Sequence, residues 1–95
     1  MSNPIEGQDF DVKMQAEEEL EGSTVVLWYK TPADVITNDV TPTDVNTTTN
    51  IITYRIDDAV AVTGRWTFGG MITNAAGDIT KIHPFSIDFD RDVSL

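Results

Sequence analysis

A chain of 95 residues is the size of one small domain, and with 40% apolar residues, including two Trp, two Tyr and four Phe, it has enough bulky side chains to fill a single core. The absence of cysteine excludes disulfides, zinc–thiolate centres and thiol nucleophiles together, and sixteen Asp and Glu against six Lys and Arg, a formal charge of -10, disfavour nucleic acid as a partner. No run approaches the roughly 20 apolar residues of a membrane-spanning helix, and the polar, acidic start lacks the basic and apolar regions of a secretory leader, so a soluble protein without membrane insertion is expected.

In chain order, residues 1–8 are polar, contain Pro4 and show no periodicity, which predicts a short N-terminal arm; a single domain is expected over residues 9–95. Phe10, Val12 and Met14 then alternate with Asp11, Lys13 and Gln15, the period of two of a half-buried strand. The acidic stretch from Ala16 to Glu21 favours helix locally but is too short to stand as one, and reads as a connection. From Ser23 to Thr31 a strand places Val25, Leu27 and Tyr29 on one face and Val26 and Trp28 on the other, and Thr31-Pro32 ends it. A shorter strand is expected over Asp34 to Thr37, closed by the Asn38-Asp39 turn signal, and the Thr- and Asn-rich passage to Asn50 has room for a short edge strand.

Ile51 to Ile56 is strand-like again, with Ile52, Tyr54 and Ile56 on one side. The last third predicts a long hairpin, Gly64 to Thr73 and Ile79 to Phe89, joined by Asn74-Ala75-Ala76-Gly77-Asp78. Trp66, Phe68 and Ile72 share a face in its first arm, and Phe85, Ile87 and Phe89 share one in its second. Pro84 marks a bulge or sheet edge, and Gly69-Gly70 permit a bulge or close packing. About seven one-sided strands and no convincing helix predict an all-β, antiparallel, immunoglobulin-like sandwich. Its predicted core is Val12, Val25, Leu27, Tyr29, Ile52, Tyr54, Trp66, Phe68, Phe85 and Ile87.

Catalysis finds little support in these residues. With one His and four Ser, general-base or nucleophile chemistry has few candidates, and His83, just before Pro84, reads as a strand-surface imidazole. Asp88, Asp90 and Asp92 share a strand face, but alternate side chains stand ~6 to 7 Å apart, too wide for one calcium ion, so a solvated acidic face is expected. Glu17-Glu18-Glu19 and Asp57-Asp58 read the same way, as marks of solubility or of a basic partner. Asn46-Thr47-Thr48 fits the glycosylation pattern without a secretory leader beside it. The glycines make no phosphate loop. No catalytic residue, metal ligand or cofactor is therefore expected. Candidate interface residues are Phe10, next to the arm, and Val26 with Trp28, an outward pair that either docks on a partner or is covered by a second layer or by the arm.

Phe10-x-Val12, Leu20-x-Gly22-x-Thr24-Val25, Leu27-x-Tyr29-Lys30-Thr31-Pro32, Ile52-x-Tyr54, Gly64-x-Trp66 and Phe85-x-Ile87 follow one another over residues 8–90. In this order the chain resembles small bacteriophage virion proteins with immunoglobulin-like domains, including the N-terminal domain of baseplate upper proteins that carry receptor-binding fibres. Tyr29-Lys30-Thr31-Pro32 and Gly64-Arg65-Trp66 are the most telling pieces. Where similar proteins often have a Gly turn after the Pro, this chain has Ala33-Asp34-Val35. The resemblance implies a non-catalytic virion component, an adaptor at the tail, baseplate or fibres, working in several copies beside other virion proteins. Two other readings stand beside it: a capsid decoration protein, and a carbohydrate-binding module using Trp28, Tyr29 and Trp66 toward a host-surface glycan.

Overall fold

The computed structural model describes residues 4–57 and 60–91. Alternation and β-branched or aromatic composition resolve into seven strands and, among the described residues, no helix: β1 (Phe10–Gln15), β2 (Thr24–Lys30), β3 (Ile36–Val40), β4 (Asp44–Asn46), β5 (Ile51–Ile56), β6 (Gly64–Thr73) and β7 (Ile79–Phe89). They form two antiparallel sheets, one in the order β1-β5-β4 and the other β3-β2-β6-β7. With β1 to β7 in the places of strands B, C, C′, D, E, F and G, this is the order of an immunoglobulin-like sandwich whose first strand is, among the described residues, reduced to a single bridge. What remains of it is a parallel bridge between Ile5 and Asp90.

That bridge changes the reading of the N-terminal arm. The Asp90 N–H donates to the Pro4 carbonyl at 2.8 Å, the Glu6 N–H donates to the Asp90 carbonyl at 2.9 Å, and the Gly7 N–H donates to the Ala61 carbonyl at 2.9 Å. Residues 4–7 thus use their backbone groups within the chain, while residues 1–3 lie outside the described residues.

The inward faces of both sheets meet in one cluster. Val12, Met14, Leu20, Val25, Leu27, Ile52, Ile56, Ala61, Trp66, Phe68, Ile72 and Phe89 are buried, and Tyr29, Tyr54, Phe85 and Ile87 pack against them half-buried. Each fully buried aliphatic or aromatic side chain contributes about 1.5–3 kcal/mol. Aromatic contacts tie the layers: Phe10 meets Phe89 edge-on with centroids 5.7 Å apart, and Tyr29 stacks on Tyr54 at 5.8 Å. Phe10, expected at an interface, therefore belongs to the core side of β1, as its parity with Val12 and Met14 requires. The Trp66 indole N–H, buried with its ring, donates to the Val62 carbonyl at 3.0 Å, so no polar atom of that side chain is orphaned.

Leu20, in the stretch read as a connection, is 1% exposed. Its N–H donates to the side-chain oxygen of Asn50 at 3.1 Å, and the Asn50 carbonyl accepts from the Ala16 N–H at 2.8 Å. Asn50 itself sits at φ 58, a left-handed conformation that Asn tolerates better than most residues.

Two irregularities direct side chains. In β7 the register with β6 shifts between Phe68↔Phe85 and Gly70↔Ile82, an extra residue at His83-Pro84 that lets Ile82 and Phe85 both face inward despite opposite parity. In β3 the register with β2 shifts between Leu27↔Val40 and Tyr29↔Thr37. The strand expected over Asp34 to Thr37 thus runs on through Asn38-Asp39 to Val40, and the turn signal proves to be a bulge with Asp39 at φ 57. The turn itself lies earlier. The Asp34 N–H donates to the Thr31 carbonyl at 2.9 Å, the Thr31 N–H donates to the Val35 carbonyl at 3.0 Å, and Asp34 takes φ 63, the conformation a Gly would occupy most easily.

Candidate functional site

Outward-facing residues of the four-stranded sheet make the candidate surface. Along β2 the inward set is Val25, Leu27 and Tyr29, so Val26 and Trp28 project outward, as their parity predicts, and both are half-buried. Trp28 pairs across the ladder with Gly69, and Val26 pairs with Met71. The indole packs against the glycine: a Cβ at Gly69 would stand 2.5 Å from two carbons of the six-membered ring and 2.6 Å from Nε1. The half-buried ring is thereby held against backbone on one side. The glycine pair works on both sides of the ribbon, since a Cβ at Gly70 would meet the Val26 carbonyl oxygen at 2.7 Å and a Leu27 methyl at 2.8 Å.

Around Trp28 a shallow depression of about 480 Å³ is lined by Val26, Met71, Asn38, Asp39 and Lys81, with Leu27 and Gly70 beneath. The bulge in β3 brings Asn38 and Asp39 beside the ring, and Lys81, opposite Met71 on β7, closes the far side. Sequence parity identifies Trp28 and Val26. It misses Met71, Asn38, Asp39 and Lys81, which join them only through the register of β6 and the two bulges.

The other sequence candidates are placed as follows. Trp66 and Phe68 lie deep in the core with rings nearly parallel at 6.3 Å, and Tyr29 lies 5.7 Å from Trp66. Trp66 and Tyr29 thus face inward, away from Trp28, and the three aromatic side chains considered for sugar binding do not share a surface. Asp88 is paired with Arg65, its cross-strand partner, at 3.0 Å, and Asp90 carries the bridge to Ile5, while Asp92 lies outside the described residues. Asp58 does too, and the Asp57 carbonyl accepts from the N–H groups of Val60 and Ala61. Among the described residues no three His, Cys, Asp or Glu side chains converge as metal ligands would. Exposed His83 sits at the β7 bulge.

Cross-strand ion pairs and the aromatic cluster each shift titratable groups. Arg55 donates to Asp11, its partner across β1 and β5, at 2.9 Å, and this holds the Asp11 carboxyl below its ordinary value and the Arg55 guanidinium above its own. Asp88 likewise raises Arg65. Burial, followed by the neighbouring Tyr29, pushes the Tyr54 hydroxyl above the usual tyrosine range.

The two most telling motifs of the sequence meet in space. A Cβ at Gly64, which has φ 124, would come 2.6 Å from the Pro32 Cβ, and Tyr29 rests on Trp66. Tyr29-Lys30-Thr31-Pro32 and Gly64-Arg65-Trp66 therefore form one packed end of the β2–β6 ladder. Exposed Val35, Ile36 and Val62, at 57, 57 and 48% exposure, belong to the loops and strand ends that meet here. Fold and surface together define a β-sandwich with a half-covered aromatic on its outer face. No protein-family model, curated protein or solved structure matches the chain.

Proposed function

We propose that the chain is a non-catalytic structural module of a bacteriophage particle, a tail, baseplate or fibre-associated adaptor that works in several copies against other virion proteins and is made in the cytoplasm of the bacterial host. The observation that carries a docking role is Trp28, packed against Gly69 and half-buried in a depression beside Val26 and Met71. A large, rigid, partly covered aromatic with apolar neighbours is the kind of anchor that dominates protein interfaces. Support for the phage assignment comes from the resemblance, whose two distinctive motifs are spatial neighbours and so form one structural unit. The test is to purify particles and locate the chain by electron microscopy, then repeat with Trp28→Ala. An anchor of this type is worth about 2 kcal/mol or more, so the variant should fold and yet be depleted from particles by roughly thirtyfold. Undiminished incorporation removes Trp28 from the reading, and density on the head in place of the tail makes the chain a capsid decoration protein.

One observation favours a second reading. An indole face flanked by Asn38, Asp39 and Lys81 offers a stacking plane beside hydrogen-bonding groups, the chemistry that holds a sugar ring. Binding on a glycan array that is lost in Trp28→Ala would favour a carbohydrate-binding module.

A further inference from the structure

Among the described residues the large hydrophobics left exposed are Ile5, Val35, Ile36, Val60, Val62 and Ile79, and all but Ile79 lie at one end of the sandwich. That is the end where β2 and β5 finish and β3 and β6 begin. The five side chains sit on three segments that touch in sequence. The 60–64 segment is the middle one. On one side of it the Gly7 N–H donates to the Ala61 carbonyl at 2.9 Å and the Thr63 hydroxyl donates to the Glu6 carboxylate at 2.7 Å. On the other, Gly64 lies against Pro32, in the turn that leads to Val35 and Ile36. Single apolar side chains at a surface are ordinary, but five on three adjoining segments make an apolar end.

Charge says what fits it. Lys30, Arg55 and Arg65 are each held by carboxylates of the chain: Lys30 by Asp34 at 3.4 Å, Arg55 by Asp11 at 2.9 Å and Asp9 at 3.8 Å, and Arg65 by Asp88 at 3.0 Å. Beyond those pairs this end carries Glu6, Asp57 and Asp90 against Arg91, so carboxylates are in excess. The opposite end is acidic too, with Glu17, Glu18, Glu19, Glu21 and Asp78, but of the exposed large hydrophobics it has only Ile79.

We propose that the end built from residues 5–7, 31–36 and 60–64 docks a segment of a partner protein in which apolar side chains alternate with lysine or arginine. The apolar side chains of that segment cover Val35, Val62 and their neighbours, and its cations meet the surplus carboxylates. An acidic segment, or a second copy of the chain, is opposed by the same carboxylates and by the formal charge of -10. None of the five hydrophobics lines the depression around Trp28, so the inference stands whatever docks there.

The experiment is a titration of the ¹⁵N-labelled chain with a capped eight-residue peptide that alternates valine and lysine. Saturable amide shifts are expected at residues 5–7, 33–36 and 60–64. A peptide with glycine in place of valine keeps the charge and should bind this end roughly tenfold more weakly, and a peptide with glutamate in place of lysine should be weaker by a similar factor. Val35→Ser with Val62→Ser, both exposed and outside the core, should weaken the valine–lysine peptide roughly tenfold, while Ile79→Ser should leave it unchanged. The proposal is overturned if millimolar peptide shifts no amide, if the shifts gather at residues 17–21 and 78–79, where charge alone would draw a cation, or if they gather at residues 26–28 and 69–71 on the outer face. It is also overturned if the glycine or the glutamate peptide binds as tightly, or if the paired serine variant binds as the parent does.

Discussion

The indole of Trp28 and the backbone of Gly69 are in van der Waals contact across the β2–β6 ladder, close enough that no side chain fits between them. Gly69→Ala should therefore push the ring off the sheet without unfolding the domain, because the ring lies at the surface and can move. The expected loss is about 1 kcal/mol, with a red-shifted indole emission. Gly70→Ala points its methyl at the Val26 carbonyl oxygen and Leu27, where backbone must yield, and should lose more, about 2–3 kcal/mol. Denaturant unfolding of the two variants checks the order.

Asn50 and Leu20 should behave as a coupled pair. Leu20→Ala empties a fully buried site and should destabilise the domain by about 2–5 kcal/mol. Asn50→Ala strands the Leu20 N–H and should lose about 1–3 kcal/mol. Since the asparagine holds the loop that seats the leucine, the double variant should be more stable than the sum of the single losses predicts, by at least about 0.5 kcal/mol. Strict additivity in urea unfolding would show that the loop seats Leu20 without Asn50.

Asp34 occupies a left-handed position at φ 63, and its ion pair with Lys30, at 3.4 Å, is solvent-exposed and offsets little of that strain. Asp34→Gly should leave stability unchanged or raise it by up to about 1 kcal/mol, whereas Asp34→Val, β-branched in the same conformation, should lower it by about 1–2 kcal/mol. Thermal melts of the pair decide this.

Tyr54 should ionise above the ordinary tyrosine range in a spectrophotometric titration. Its hydroxyl is pushed above its ordinary value by burial and by Tyr29, so the unfolded chain releases this proton at lower pH than the folded one. The linked stability is complete below the unfolded value near 10 and falls as pH rises through the folded value. Tyr54→Phe should flatten the alkaline limb of stability against pH. For Asp11 the sign is opposite: a carboxyl lowered by Arg55 adds stability above its ordinary value and loses it as pH falls through the lowered one.

Strand identity was largely legible because period-two alternation reports which side is buried, and in β1, β2, β5 and β6 it carried Val12, Val25, Leu27, Ile52, Trp66 and Phe68 into the core. Pro84 and Gly69-Gly70 were legible too, since a missing N–H and a missing side chain each leave few structural choices. Asn38-Asp39 was not, because residues that tolerate left-handed backbone serve turns and bulges alike. Leu20 escaped for lack of periodicity, a single apolar residue in an acidic run whose burial depends on Asn50 far along the chain. Outward placement of Trp28 was legible, but its polar neighbours were not, because they arrive from β3 and β7 through register.

The ladder in which Phe10 meets Ile56 and Gln15 meets Ile51 also governs how the molecule can be made. Synthesis delivers the first strand long before its partner, and although the second can pair early with β3, its other neighbour β6 comes late, so neither sheet can be completed while the ribosome is still translating the middle of the message. Folding is thereby deferred until most of the polypeptide has emerged, and through that interval Val12, Val25 and Leu27 are exposed to solvent and to whatever chaperone or assembly partner arrives first.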